Sequence, residues 1–127
     1  MNETGEALNP QPQAVEAEQA VLGSMLASKD AASKVFGLLK TEHFYRDTHA
    51  RIYAAMTELY GESISIDTIS VIDQLKKKKE LERVGGAYYI TGLVESVPTV
   101  ANVENYARIV LEKALLRQLI AISHDIS

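Results

Sequence analysis

The stretch NVENYARIVLEKALLRQLIAISHDIS, residues 102–127, decides how the rest of the chain is read. It contains neither Gly nor Pro, so it predicts one uninterrupted helix. At 1.5 Å per residue that helix would be about 39 Å long. A compact domain of this size has a radius of gyration of only about 14 Å, so the helix either crosses the whole domain or leaves it. Its apolar residues do not share one stripe. Ile109, Val110 and Leu111 are adjacent, Leu115 and Leu116 form a second pair, and Leu119, Ala121 and Ile122 surround Ile120. A helix patterned in this way needs partners on more than one side. No stop signal stands at Ser127, which leads to the expectation that the element continues into a further helix. Leu111, Leu115, Leu116, Leu119 and Ile120 exceed what one globule can bury and are the expected pairing residues. The pattern points to assembly rather than catalysis.

Upstream, helical spacing recurs. Val15, Leu22 and Met25, with Val21 and Leu26 beside them, form an apolar stripe interrupted only by Glu18, and Gly23 with the small Ala14, Ala17 and Ala20 would let another helix approach closely. Asp30 is the expected cap of a second helix from Ala31 to about Leu39, followed by a turn at Thr41. A third helix is predicted from Asp47 to Tyr60, ended by Gly61, with Ile52, Tyr53, Met56, Leu59 and Tyr60 as its stripe. Asp67 offers an N-cap for a fourth, in which Ile69, Ile72 and Leu75 face inward and Val71 flanks them. Gly85-Gly86 marks a break before a short helix from Ala87 to Val94, and Pro98 closes the segment. No strict alternation survives; the best strand candidate, residues 63–66, is too short to support a sheet. The expected fold is all-α. A tail (residues 1–13) precedes a compact helical globule (14–100), and a projecting helix (101–127) follows.

Composition limits the function classes. The chain has 127 residues, 13 Lys+Arg against 17 Asp+Glu, a formal charge of -4 and no Cys or Trp. One domain of this size buries roughly two-thirds of its unfolded surface, so it needs no disulfide or metal staple. With three histidines and no thiol there is no clustered metal-ligand set. A pI near 5.4 argues against a domain that holds nucleic acid by its own charge. No apolar run approaches a membrane span or the core of a signal peptide. These features imply a soluble, intracellular, mildly acidic domain.

Chemistry-bearing motifs are missing. None of the seven glycines precedes a Lys in a phosphate-binding loop, and neither G-x-G-x-x-G nor G-x-S-x-G occurs. The richest cluster is residues 44–53, FYRDTHARIY. There His49 could act as a base with Tyr53 on the same helical face, in a small helical enzyme. The plainer reading, adopted here, is a helix start favoured by Asp47 with packed aromatics. The run Lys76 to Lys79 could touch phosphate in a stand-alone DNA-binding module, but Glu80 and Glu82 follow at once and cations suit a helix C-terminus. Of the adjacent Tyr88 and Tyr89, one is expected inside and one outside, where an exposed tyrosine suits a protein interface.

These residues together resemble a known family. Residues 16–24 (EAEQAVLGS) after a Pro/Gln stretch, Phe44-Tyr45-Arg46 with His49, Ile52 and Tyr53, residues 81–89 (LERVGGAYY), and residues 97–104 (VPTVANVE) continuing through 106–110 (YARIV) and 112–117 (EKALLR) are similar, in order and spacing, to the N-terminal domain of the bacterial replicative DNA helicase, the DnaB family. The four-lysine run with its short 61–67 loop departs from that pattern. The resemblance implies a helical globule joined to a helical hairpin, of which residues 102–127 would be the first, truncated arm, and a RecA-like ATPase beyond it. It further implies that such domains pair and that three pairs form a collar on a hexameric ring. Primase would dock on that collar through its helicase-binding domain. Helicase loaders and single-stranded DNA would engage the intact ring, which moves 5′ to 3′ in the bacterial cytoplasm. ATP and Mg2+ would belong to the motor half, leaving this fragment without cofactor or catalysis. Tyr88 and Arg117 are the expected primase-docking residues, since Tyr and Arg anchor interfaces well.

Overall fold

The first helix is built to be surrounded. A computed structural model describes residues 11–126; the tail expected at the N-terminus lies largely outside the described residues. Helix α1 (Val15–Ala27) is buried from Ala20 through Leu26, and at Glu18, rather than along one stripe. A helix apolar on all sides belongs in the centre of a bundle, and α1 packs against α2 (Lys29–Phe36), α3 (Asp47–Gly61), α5 (Gly86–Glu95) and α6 (Val103–Ile126). Helix α4 (Thr68–Lys77) closes the outer side, between α3 and α5. Val21, Leu22, Met25, Ile52, Met56, Leu75 and Ile90 form the fully buried centre. The expected all-α class holds, with no strand among the described residues.

Gly23 lets α1 and α5 touch backbone to backbone. A Cβ built there would overlap the Leu93 carbonyl oxygen and the Val97 side chain, so only hydrogen fits. On the other flank an aromatic group fastens the start of the bundle. Phe36 stacks on Tyr60 with ring centroids 4.3 Å apart, Phe44 lies 4.8 Å from Tyr53, and the Tyr53 hydroxyl donates to the Leu39 carbonyl at 2.7 Å. Burial pushes the Tyr53 phenol far above its usual pKa, so it stays a hydrogen-bond donor.

Several local expectations need correction. Ser28, not Asp30, caps α2 by accepting from the Ala31 amide, and the helix therefore starts earlier, at Lys29. Asp67 caps α4 as expected. Yet Ile69 on that helix is 81 % exposed, while Val71 is fully buried. On a helix this short, the contacts with α3 and α5 choose the inward face. Helix α3 ends at Gly61 as expected, but the left-handed residue of its cap is Ser63 (φ 61°), two positions on. The Ile64 amide then bonds back to Leu59 and the Ser63 amide to Tyr60. Lys79 (φ 60°) repeats the arrangement after α4, with Glu80 bonding to Leu75 and Lys79 to Lys76. Gly85 (φ 110°) forms it a third time before α5.

Such a cap favours glycine, because a Cβ in the left-handed region costs about 1–2 kcal/mol. Ser63→Gly and Lys79→Gly should therefore each stabilise the fold, by about 0.5–1 kcal/mol after the added freedom of the unfolded chain. A raised urea midpoint in both variants would bear this out; a lowered one would contradict it.

Candidate functional site

Helix α6 divides in function along its length. Its first half lies against the bundle through Val103, Ala107, Val110 and Ala114, all buried. At about 100° per residue these four occupy one narrow arc of the helix. Beyond Ala114 the helix leaves the globule, and the residues from Gln118 through Asp125 are exposed. Of the expected pairing residues, Leu115, Leu116, Leu119 and Ile120 stand exposed, with Leu119 at 61 % and Ile122 beside them at 53 %. Leu111 differs: it is partly buried and packs against the globule's core.

The exposed apolar residues cover an arc of about 160° on the side opposite the buried face. Earlier on that same side the helix carries the exposed Asn105, Arg108 and Glu112. The surface thus changes from polar to apolar where the globule stops supporting the helix. A single helix partner covers a stripe of roughly 100°, so this arc has room for more than one.

Arg117 sits at the point of departure. Its guanidinium donates to the carbonyls of Pro12 (2.7 Å) and His43 (3.0 Å) and lies 5.3 Å from the Tyr45 ring centroid. Arg117 is therefore half-buried, with its donors turned inward rather than free at the surface. Tyr88, by contrast, projects from the first turn of α5 and is 91 % exposed. Gly85 and Gly86, both at positive φ, turn the chain into that helix.

Beneath these surfaces runs a buried polar row. Glu18 is 1 % exposed and His49 is wholly buried. One Glu18 oxygen accepts from the Tyr45 amide at 2.6 Å; the other meets the His49 Nδ1 at 2.7 Å and, at 3.4 Å, the Arg46 amide. His49 Nε2 lies 2.6 Å from the Tyr89 hydroxyl, which also accepts from Gln19 Nε2 at 3.1 Å. A neutral imidazole with its proton on Nδ1 satisfies every member: it donates to Glu18 and accepts from Tyr89.

Neither sequence reading of His49 anticipated this. Asp47 does not cap α3 with its side chain; its carboxylate instead takes Arg51 at 2.8 Å, and that hydrogen bond holds it below the usual range. The Tyr53 hydroxyl is turned to the Leu39 carbonyl. The signal available was Glu18 itself, the one acidic residue of α1 that falls on its apolar stripe; Glu16, the other, is exposed. An acid, an imidazole and a hydroxyl in a row have the composition of a nucleophilic triad. Glu18 and His49 are buried, however, and a cavity of about 870 Å³ between Gln13, Glu16, Gln19, Ser96, Pro98 and Tyr106 reaches the row only at Gln19 and is not lined by His49.

Several cations are held in ion pairs. Arg51 bridges Asp47 and Glu80, Lys78 meets Glu58, Lys77 meets Asp73 and Lys34 meets Asp30. Among the described residues no group of His, Asp or Glu is placed to hold a metal, and no helix is long and apolar enough to cross a membrane.

Comparison with known proteins gives this geometry a context. The family model for the DnaB-like helicase N terminal domain matches residues 10–112. The replicative DNA helicase DnaB of Mycobacterium leprae is 47% identical over 109 residues, covering 86% of this chain and 18% of that protein. The DnaB helicase of Geobacillus stearothermophilus is 41% identical over 116 residues, covering 91% and 26% respectively. The chain thus spans about a quarter or less of these relatives. The crystal structure of the N-terminal domain of DnaB helicase from Mycobacterium tuberculosis superposes with a TM-score of 0.89 at 44% identity, covering 91% of this chain and 83% of that one.

Proposed function

This chain belongs to the family of DnaB-like helicase N-terminal domains, and from that premise we propose that it is the assembly and docking module of a hexameric replicative helicase, without catalysis of its own. The observation that carries the reading is the apolar arc on the distal half of α6, formed by Leu115, Leu116, Leu119, Ile120 and Ile122. Fully burying one such side chain is worth about 1.5–3 kcal/mol, and a helix end left bare to water forfeits that. One part of the arc meets the following helix of a hairpin; the other meets a second copy of the domain. Three such pairs make the collar of the ring. Leu111 contributes by fixing the root of the arm to the globule.

In this reading ATP and Mg2+ serve the RecA-like half of the whole protein, which unwinds DNA in the cytoplasm and carries the contacts to loader and single strand. The helicase-binding domain of primase docks on the collar. Tyr88 is the anchor on this chain, since an exposed aromatic with little conformational freedom gains most from burial in an interface. Arg117, held to Pro12, His43 and Tyr45, is the second residue of this chain assigned to the docking surface.

Sedimentation across a concentration series tests the proposal. The chain should associate weakly and reversibly, and Leu119→Asp should hold it monomeric throughout. A tight hexamer from residues 1–127 alone, or a Leu119→Asp variant that associates like the parent, would contradict it.

A further inference from the structure

The polar row and the arm meet in one short segment. Glu18 holds the amides of Tyr45 and Arg46 from below, while the carbonyl of His43 and the ring of Tyr45 seat Arg117 from above. The row continues from Glu18 through His49 to Tyr89, next to the exposed Tyr88. An unbroken set of contacts therefore joins the start of α5 to the turn at which α6 leaves the globule. Past Arg117 the residues Gln118, Leu119, Ile120, Ala121 and Ile122 are all exposed.

We infer that these contacts form a latch: the Tyr89–His49–Glu18 row fixes the segment from His43 to Arg46, that segment seats Arg117, and the direction of the α6 arm is thereby set from the α5 surface. The inference rests on the arm being the pairing element and adds how its direction is regulated. The physical requirement is a bond set whose members hold each other in place. Glu18 supplies it, because the same carboxylate accepts from the row and from the segment. Removing the Tyr89 hydroxyl leaves His49 Nε2 without its partner and frees the imidazole to turn. Glu18 then shares its oxygens differently, and the Tyr45 amide loosens. Arg117, held by neutral carbonyls and a ring face, follows the segment. A ligand that covers Tyr88 and shifts the first turn of α5 would reach the arm by this route.

The chain has no cysteine, so cysteines introduced at the exposed Ser33 and Ser123 can carry spin labels. Their distance distribution is measured at a dilution where the protein is monomeric, which keeps the outcome independent of pairing. The parent should give one narrow distribution. Arg117→Ala and Tyr89→Phe should each widen it about twofold, and the double variant should widen it no further than the larger single one, as members of one coupled set do. Tyr45→Leu, which keeps every bond of the row because Glu18 holds the backbone amide, should widen it too. An unchanged distribution in Arg117→Ala and Tyr45→Leu would overturn the latch. Widening in those two but not in Tyr89→Phe would overturn the link to α5.

Discussion

Glu18→Ala should destabilise the domain by about 3–5 kcal/mol, because several buried donors lose their acceptor at once. The carboxylate accepts from the Tyr45 and Arg46 amides and from His49. Alanine leaves those donors facing a void, and each unsatisfied buried donor costs about 1–3 kcal/mol. The cavity left by the side chain adds to the loss. Glu18→Gln should fall between the two, since it keeps one acceptor oxygen but turns an amide group toward other donors. Urea denaturation measures both. A Glu18→Ala midpoint within about 1 kcal/mol of the parent would mean that the buried row contributes little.

Gly23→Ala has the second largest expected effect, and its sign opposes intrinsic propensity. In a helix interior alanine is better than glycine by about 0.8–1 kcal/mol. Here the added methyl meets the Leu93 carbonyl oxygen and the Val97 side chain. Backbone oxygen cannot swing aside as a side-chain tip can, so α1 and α5 must separate. Overpacking of this kind costs typically 1–3 kcal/mol and sometimes more, so a net loss of about 2 kcal/mol is expected. Gly92, also helical, has open space around it. Gly92→Ala should therefore gain up to about 1 kcal/mol. Opposite shifts of the two denaturation midpoints would establish that α1 and α5 touch at Gly23; equal shifts would refute it.

What the sequence disclosed was mostly what is locally decided. The Asp67 cap needs only its own helix start, and the Gly85-Gly86 break needs only its own backbone, so both were legible. The arm was legible for a similar reason: no arrangement of so short a globule could shelter every apolar residue between Leu115 and Ile122. Decisions made by distant neighbours were hidden. Whether Ile69 or Val71 faces inward depends on where α3 and α5 lie. The left-handed turn after α3 falls at Ser63 rather than at Gly61, and the chain beyond it returns Ile66 to the core, where it is buried. Glu18 read as an interruption, since its partners arrive from residues 45 to 49 on a different helix start. Arg117 read as a free anchor because the carbonyls that hold it belong to Pro12 and His43, 105 and 74 residues away.

The central claim, that the bare face of α6 meets the same face of a second copy, has a direct measurement. A single cysteine at Leu115, Leu119 or Ile122 in this cysteine-free chain is treated with a short bismaleimide, and Ser33, exposed on α2, serves as the reference site. Efficient copy-to-copy cross-linking from the arm positions, and little from Ser33, is the expected result. Arm positions that cross-link no better than Ser33 would contradict it.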